Sequence, residues 1–264
     1  VQRLDNDEFI KFPPQRVFGD IYSYNKDLAI KLAYKSSFLM GKELKDVGID
    51  VDFSPVCDLF FDTAHDIIGN RAFGTDTTLV YNLSKVFCDG LLDSGIIPVP
   101  KHFPGHGRSI NDTHNKASVI NTKYEELKKT DFVPFRILEK SYMVMLAHII
   151  YSNIDKEVAT YSKKINNNIL RGQFNFKGLI LSDDISMKAI KGNLSDKTRK
   201  SYYGGCNVIL YCKGILDEIK VIYPNVQKID LKVYNFFLKK INSINIKKKN
   251  IHKFKADLLE YGLI

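Results

Sequence analysis

Three histidines, a lysine and an aspartate fall within the segment KHFPGHGRSINDTH, which runs from Lys101 to His114. A proline and two glycines interrupt the segment, so it cannot form a regular helix, and glycine lets a backbone fold closely around a ligand. Asp112 and His114 are two residues apart, and a turn would let the carboxylate contact the imidazole. Such a contact orients the ring and stabilises its charged form, as a general acid or base requires. The segment therefore predicts an acid/base loop.

A second segment with chemical potential is GLILSDDISM at residues 178–187, an apolar run that ends in two acidic residues. A carboxylate at the end of a buried strand is well placed to attack an electrophilic carbon. The same residue type also caps helices, which would be a purely structural role. We expect one of each here, with Asp183 as the nucleophile and Asp184 as a support for nearby groups.

The third segment is IGNRAFG at residues 68–74, which sets Arg71 between turn-prone residues. Its guanidinium group could donate forked hydrogen bonds to a hydroxyl or carbonyl oxygen of a ligand. A lone arginine in a loop is more often a surface salt-bridge partner, so Arg71 gains weight only together with the other segments.

Metal binding is an alternative use of the histidines. The segment offers ligand types that suit zinc, namely His102, His106, Asp112 and His114. Against this alternative, His102 and His106 straddle a Pro-Gly pair instead of sharing one helical face. We therefore predict neither a metal nor a cofactor.

The elements that must position these residues alternate along the chain. Apolar runs typical of strands cover residues 49–56, 96–103, 143–150, 178–183 and 206–212. Amphipathic stretches typical of helices cover residues 26–46, 76–93, 123–140 and 163–174. Repeated strand–helix–strand units predict right-handed crossovers and a parallel sheet.

Polar residues follow each predicted strand, and their distribution distinguishes a TIM barrel from an open doubly wound sheet. They are Asp58, Lys101, His102, His148, Asp183 and Asp184. A ring of polar groups at the carboxyl ends of successive strands is typical of a TIM barrel, whereas an open doubly wound sheet concentrates its ligands at one switch point. We therefore predict an α/β fold, a TIM-like (β/α) barrel. Five repeats are too few for eight strands, so we expect the first one or two βα units to precede Val1.

The rest of the chain carries no strand pattern. After residue 213 we expect helices at 216–223 and 231–241, then a basic tail from residue 244 that ends in a short helix at 255–261. We expect one domain over residues 1–264, with the catalytic motifs within 1–213.

Composition limits the partners. The net charge is +9, but the lysines are scattered over helix-like faces, which favours a solvated surface over a nucleic-acid groove. No apolar run reaches the roughly 18 residues of a membrane-spanning helix. The four cysteines include no C-x-x-C pair, which is typical of reduced thiols in the cytosol. We predict a cytoplasmic protein without nucleic-acid or membrane partners.

An ordered set of motifs resembles glycoside hydrolase family 3, in particular its bacterial β-N-acetylglucosaminidases of cell-wall recycling. The motifs run from Val1 to about Lys213 and are VQRL, DFSPVCDL, GNRAFG, KHFPGHG with the following DTH, LAHIIY and LSDDISM. No single motif is decisive, but the ordered set is specific.

The resemblance implies a retaining, two-step hydrolysis through a covalent glycosyl-enzyme. The family's nucleophile falls on Asp183, and its acid/base dyad falls on Asp112 and His114. A histidine in this role departs from the usual pair of carboxylates. The implied sugar contacts are Arg3, Arg71, Lys101 and His102, and His148 is expected to line the same mouth. The implied substrate is a muropeptide fragment, from which a terminal β-linked N-acetylglucosamine is removed.

One departure from the family pattern concerns the start of the chain. Family members carry residues before VQRL, in a stretch like VDQEGGR that holds a further sugar-binding aspartate, and this chain begins at Val1 inside that motif. A separate N-terminal fragment is therefore an expected partner. Two alternatives stay open, namely an inactive or split fragment of such a hydrolase and a β-glucosidase of the same family.

Overall fold

The computed structural model describes residue 4 and residues 8–62, 68–109 and 118–264. The α-helices of this part are α1 (Gln15–Tyr24), α2 (Lys26–Asp46), α3 (Thr77–Ser94), α4 (Tyr124–Lys129), α5 (Leu194–Gly204), α6 (Leu216–Ile222), α7 (Leu231–Ile241) and α8 (Ile251–Glu260). Its strands are β1 (Val51–Asp52), β2 (Ile97–Pro98), β3 (Ser118–Ile120), β4 (Met143–Met145), β5 (Ile149–Tyr151), β6 (Leu179–Asp184) and β7 (Val208–Leu210). A π-helix covers Lys164–Gln173, and short 3-10 helices cover Gly69–Arg71, Pro134–Lys140, Ala159–Tyr161 and Tyr223–Asn225.

Five of the strands line up in chain order. β1 pairs with β2, β4 pairs with β6, and β6 pairs with β7, all in parallel. Backbone hydrogen bonds join β2 to β4, since Met145 donates to Pro100, Phe103 donates to Met145 and Ala147 donates to Phe103, at 2.8–3.1 Å. The order β1-β2-β4-β6-β7 contains no reversal, whereas a doubly wound sheet reverses at its switch point. β3 and β5 form a separate parallel pair that the sequence did not predict.

The predicted α/β fold with parallel strands is confirmed, but a closed barrel is not seen in the described residues. Within them, β1 and β7 each pair with one strand and form the two edges of the run. The barrel therefore stays an expectation.

Helix ends explain how the chain returns to each strand. The Asp76 carboxylate accepts from the backbone N–H of Leu79 at the start of α3, and Gly95 ends that helix with φ of 96°. Asn193 caps α5 in the same way, and Gly205 ends it with φ of 112°. Because glycine adopts positive φ without strain, both helices stop sharply, two to three residues before β2 and β7 begin.

Alternate residues of the strands point to the two faces of the sheet. On one face, Val144 of β4 and Ile180 of β6 are buried against Ile165 and Ile169 of the π-helix. The other face is equally apolar and comprises Ile97, Val99, Met143, Met145, Leu179 and Leu181. Phe237 of α7 and its helix neighbours pack against that face. The sheet is therefore buried on both faces, as a parallel sheet requires.

The helix expectations had mixed outcomes. Those for residues 26–46 and 231–241 match α2 and α7. The expectation of one helix over 123–140 was wrong, because α4 ends at Lys129 and Pro134, which lacks a backbone N–H, begins a 3-10 helix. The terminal helix α8 starts earlier than expected and packs on α2, with the Phe254 ring 5.5 Å from that of Phe38. None of the described helices is long and apolar enough to span a membrane.

Candidate active site

The carboxyl ends of β1, β2, β4 and β6 bring the expected polar residues to one edge of the sheet. Asp58 follows Val56, which bridges in parallel to Lys101. His148 lies between β4 and β5, and Asp183 lies at the end of β6. Because the strands are parallel, all of these side chains emerge on the same side.

Asp58 forms the best-bonded group of the site. The residue is 1% exposed, and its Oδ2 lies 2.7 Å from Nδ1 of His102. Its Oδ1 accepts from the backbone N–H groups of His102 (3.1 Å) and His106 (2.6 Å). Burial alone would raise the pKa of Asp58, but the charge and hydrogen bond of His102, together with His106, lower it below its usual value. An ionised Asp58 thus fixes Nδ1 of His102 as a hydrogen-bond donor and orients its ring.

His106 is a buried neutral imidazole. Its side chain is 5% exposed, and its ring centre lies 5.4 Å from that of His102. Burial, with a further contribution from His102, lowers the pKa of His106 to about 4. Sequence reasoning considered this residue only as a metal ligand, and nothing in the sequence separates it from the neighbouring His102.

Gly107 serves the protein's own packing. A Cβ atom at this position would lie 1.7 Å from the carbonyl oxygen of Leu59. The loop is also tied down at Gly105, whose carbonyl accepts from the hydroxyl of the buried Tyr151 at 2.6 Å. The glycines were expected to let the backbone approach a ligand. At Gly107 the close neighbour is instead the chain segment that follows Asp58.

Asp183 differs from Asp58 in its bonding. It is partly exposed and accepts from the backbone N–H of Asp184 at 2.8 Å, and no other hydrogen bond to its carboxylate occurs within the described residues. Burial would raise the pKa of Asp183, but His102, His148, the Asp184 N–H and Lys101 together lower it below its usual value. Asp183 is therefore an ionised carboxylate with oxygen lone pairs available for reaction.

The Asp184 carboxylate stabilises the turn that follows β6. Its carboxylate accepts from the backbone N–H and the hydroxyl of Ser186 at 2.9 and 2.5 Å, and from the N–H of Cys212 at 3.2 Å. This bonding gives Asp184 a supporting role, while the catalytic role of Asp183 stays a prediction.

Lys101 and Arg71 are the two cationic residues expected near Asp183. Burial lowers the pKa of Lys101, the negative charge of Asp183 raises it, and the positive charge of Arg71 lowers it further. Both neighbours are thus close enough for their charges to act on the Lys101 ammonium. Arg71 lies in the turn Gly69–Arg71 and is partly exposed. Two cations near the Asp183 carboxylate can bind hydroxyl or amide oxygens of a ligand.

His148 lies deeper than expected. It is 1% exposed, its Nδ1 lies 2.7 Å from the Thr160 hydroxyl, and its Nε2 lies 3.1 Å from the carbonyl oxygen of Asp184. Both ring nitrogens thus bond to protein groups, so in this structure His148 supports the end of β6 and offers no free nitrogen to a sugar.

Three expected site residues lie outside the described residues: Arg3, Asp112 and His114. Their roles stay predictions from the sequence. Within the described part of the chain, no three His, Cys, Asp or Glu side chains are grouped so as to hold a metal ion.

Sequence reasoning missed Lys197, a buried lysine of α5. It is 7% exposed, and its Nζ donates to the carbonyl oxygens of Ile185 and Met187, both at 3.0 Å. These carbonyls belong to the turn directly after Asp183, so Lys197 holds the turn that carries the expected nucleophile. The sequence offered little to identify Lys197, because it is a single lysine in a stretch for which no helix was predicted.

Comparison with known proteins identifies the family of the chain. The family model described as the glycosyl hydrolase family 3 N-terminal domain matches residues 1–237. A β-hexosaminidase of Nitrosomonas eutropha is 37% identical over 216 residues, which are 80% of this chain and 62% of that protein. A β-hexosaminidase of Bordetella avium is 31% identical over 239 residues, which are 87% of this chain and 68% of that protein.

A solved structure gives the same result. The crystal structure of NagZ from Neisseria gonorrhoeae in complex with N-trifluoroacetyl-D-glucosamine matches with a TM-score of 0.83 at 28% identity, and the match covers 98% of this chain and 74% of that one. This chain therefore spans only about three-fifths to three-quarters of the length of these proteins. Because the family model matches most of the sequence, and because curated relatives above 30% identity cover most of it as well, the chain belongs to glycosyl hydrolase family 3.

Proposed function

We propose that the chain carries the catalytic centre of a retaining exo-β-N-acetylglucosaminidase on a TIM-like barrel. The observation that carries this proposal is Asp183, an ionised and partly exposed carboxylate beside Lys101 at the carboxyl edge of the sheet. The relatives from Nitrosomonas eutropha and Bordetella avium are named β-hexosaminidases, and the Neisseria protein binds an N-acylated glucosamine. The unreversed strand order supports the barrel.

The reaction would proceed in two displacements. In the first, a carboxylate oxygen of Asp183 attacks the anomeric carbon, the glycosidic bond breaks, and His114 donates a proton to the departing oxygen. In the second, His114 takes a proton from water, the water oxygen attacks the anomeric carbon, and Asp183 is released. An imidazole with an ordinary pKa near 6.5 suits both proton transfers at neutral pH, and Asp112 would orient it.

Lys101, Arg71, His102 and Arg3 would bind the sugar. The Asp58 carboxylate fixes Nδ1 of His102 as a donor, so Nε2 is the nitrogen left for a ligand oxygen. We propose a muropeptide fragment as the substrate and cell-wall recycling in the cytoplasm as the setting.

The test is an assay of the purified chain with an aryl N-acetyl-β-glucosaminide, alongside Asp183→Ala and His114→Ala. We expect hydrolysis that both substitutions abolish, and retention of the anomeric configuration in the first product. Lys177→Gln is a matched control, because Lys177 is exposed and lies before the amino end of β6. Hydrolysis that survives Asp183→Ala would refute the assigned nucleophile.

Two further arms separate the alternatives. Faster hydrolysis of an aryl β-glucoside than of the N-acetylglucosaminide would favour a β-glucosidase. A folded but inactive chain would favour a split or inactive fragment. In that case, activity gained on adding the family's N-terminal strands as a separate polypeptide would identify a split enzyme.

A further inference from the structure

Arg108 follows directly on the KHFPGHG segment and bridges two other parts of the chain. Its Nε donates to Oδ2 of Asp131 at 2.8 Å, and its Nη2 donates to the Thr130 hydroxyl at 3.1 Å. Its Nη1 lies 3.0 Å from a carboxylate oxygen of Glu126 in α4. In addition, its guanidinium carbon lies 4.5 Å from the ring centre of Phe61, in the segment that follows β1. Because all three guanidinium nitrogens are used, these contacts fix the direction of the side chain as well as its position.

Asp131 gives Arg108 a buried partner. It is 1% exposed, and its Oδ1 has no hydrogen-bond partner within the described residues. Burial raises the pKa of Asp131, whereas the hydrogen bond and the charge of Arg108 lower it. A buried carboxylate requires a paired cation, so the pairing holds Arg108 at this place. Asp131 also lies against Gly105, where a Cβ atom would be 3.0 Å from that of Asp131.

The Arg108–Asp131 pair completes a series of contacts along residues 102–108. Asp58 accepts from two backbone N–H groups of this segment, and the Gly105 carbonyl accepts from the Tyr151 hydroxyl. The side chain of Arg108 is 19% exposed, and it ends the series. The chain is therefore held to its surroundings up to residue 108.

β3 holds the chain a few residues later. Its residues Ser118–Ile120 pair in parallel with Ile149–Tyr151 of β5, and Ser118 is buried. β5 begins directly after His148, which supports the end of β6. The strand pair that the sequence did not predict thus connects this part of the chain to the candidate active site.

The two residues of the proposed acid/base dyad lie between these two anchors in the sequence. Asp112 comes four residues after Arg108, and His114 comes four residues before Ser118. Four residues of extended chain span at most about 14 Å. The positions that the dyad can reach are therefore limited by the positions of Arg108 and Ser118.

We infer that Arg108 is a positioning residue for the proposed acid/base dyad, and that it acts through its forked contacts with Asp131 and Thr130. The inference rests on the proposed function and adds to it a residue that sequence reasoning left without a role. Asp183 and Lys101 lie at the ends of other strands, so the effect of Arg108 should be confined to the steps in which the dyad transfers a proton.

The experiment compares two substrates with the same terminal sugar and different leaving groups. Dinitrophenolate is a stable anion that departs from a dinitrophenyl N-acetyl-β-glucosaminide without a proton. The sugar oxygen released from a β-linked disaccharide of two N-acetylglucosamines needs a proton from the general acid. The measured quantity is the ratio of kcat/KM for the disaccharide to kcat/KM for the dinitrophenyl glycoside. A loss of folded protein lowers both values equally and leaves this ratio unchanged.

Arg108→Gln should lower the ratio about tenfold, because a displaced general acid loses part of its contribution to the rate. The double variant Arg108→Gln/Asp131→Asn leaves no unpaired buried carboxylate, and it should lower the ratio as well. Arg108→Lys keeps the charge without the fork and should retain only part of the ratio. The matched control is Arg136→Gln, since Arg136 is exposed and lies in the 3-10 helix after Asp131. It should leave the ratio unchanged, and His114→Ala gives the full size of the effect.

A ratio that falls in Arg108→Gln and in the double variant, but not in Arg136→Gln, supports the inference. An unchanged ratio with continued hydrolysis of both substrates overturns it. If the unaltered chain hydrolyses neither substrate, the proposed hydrolase activity fails. In that case, or if only one substrate is hydrolysed, amide hydrogen exchange of a peptide covering residues 109–117 decides the role of Arg108. Faster exchange in Arg108→Gln than in Arg136→Gln and the unaltered chain supports the inference, and equal exchange in all three overturns it.

Discussion

Asp58 and Asp183 are the same residue type at the carboxyl edge of one sheet, and both have lowered pKa values despite burial. Their surroundings differ in hydrogen bonding. Asp58 is 1% exposed and accepts from two backbone N–H groups while bonding to Nδ1 of His102. Asp183 is partly exposed and accepts from one backbone N–H within the described residues.

The two carboxylates differ in hydrogen bonding more than in charge, and this difference favours a supporting role for Asp58 and the proposed catalytic role for Asp183. Three donors hold Asp58 in place and occupy both of its oxygens, so a new bond to it would break existing ones. Asp183 is kept ionised mainly by charges around it, and those charges leave its oxygen lone pairs available. The comparison predicts that loss of Asp58 mainly lowers stability and loss of Asp183 mainly lowers activity.

The largest expected effect is that of Asp183→Asn on catalysis. An amide cannot act as the nucleophile, so kcat/KM for an aryl N-acetyl-β-glucosaminide should fall at least about 10³-fold. The melting temperature should fall less than in Asp58→Ala, because the Asp183 carboxylate accepts one hydrogen bond within the described residues, whereas Asp58 has three hydrogen-bond partners. Steady-state kinetics and thermal unfolding measure the two effects on one preparation. A variant that lost stability but kept activity would reverse the roles given to the two aspartates.

For Asp58→Ala we expect a loss of about 3–5 kcal/mol in the free energy of unfolding, measured by urea denaturation. The substitution leaves the N–H groups of His102 and His106 and one imidazole nitrogen without their acceptor. Asp58→Asn is the matched control. It keeps the shape and one acceptor oxygen, so it should cost less than the alanine variant. Equal stability of Asp58→Ala and the unaltered chain would contradict the supporting role.

A pH experiment separates Asp58 from its neighbour His106. The pKa of His106 is about 4 in the folded chain and near 6.5 when unfolded, so between these values the unfolded state binds more protons. Stability should therefore fall, by up to about 3 kcal/mol, as pH drops from 6.5 to 4. His106→Gln should weaken this dependence, and the part that remains is expected from His148, whose pKa burial also lowers. The stabilisation from Asp58, whose pKa is lowered, persists above its usual 3.8 and is lost only at more acidic pH.

A smaller effect is expected from Lys101→Met, read from the pH dependence of kcat/KM. The Lys101 ammonium helps to lower the pKa of Asp183, so removing it should raise that pKa and move the acid limb of the profile to higher pH. The limb moves to higher pH because the protonated carboxyl group of Asp183 is not a nucleophile. Lys177→Gln removes a charge before the amino end of the same strand and should leave the limb in place. An unmoved limb in Lys101→Met would mean that Lys101 does not act on Asp183.

Much of the fold could be predicted from the sequence because hydrophobic period and helix ends are local signals. Residues 26–46 form α2 as predicted, and Gly95 ends α3 where a left-handed residue is needed. The pair of β3 and β5 was missed, since their partnership joins residues about thirty positions apart and each strand has three residues. Barrel closure was inferred from the polar residues that follow the strands, and it depends on strand partners that the described residues do not supply.

The candidate site shows the same limit. Residue type and position after a strand pointed to Asp183, Lys101 and His102, which the structure brings to one edge. The inward turn of His148 was not foreseeable, because it depends on Thr160, twelve residues further along the chain. Lys197 was missed for a related reason. From sequence alone, a lysine is expected to be exposed to solvent. The burial of Lys197 is favourable because its ammonium group donates to two carbonyl oxygens of the turn after Asp183.

The smallest expected effect belongs to Asp50, just before β1 and thus at the opposite end of the segment that leads to Asp58. It pairs with Lys45, but the two side chains are 69% and 37% exposed, so water and salt screen the interaction. Asp50→Ala should change the free energy of unfolding by less than about 1 kcal/mol, and by less still at high salt. Urea denaturation at two salt concentrations measures this change beside that of Asp58→Ala. Equal losses at both positions would show that burial and donor number do not determine what an aspartate contributes here.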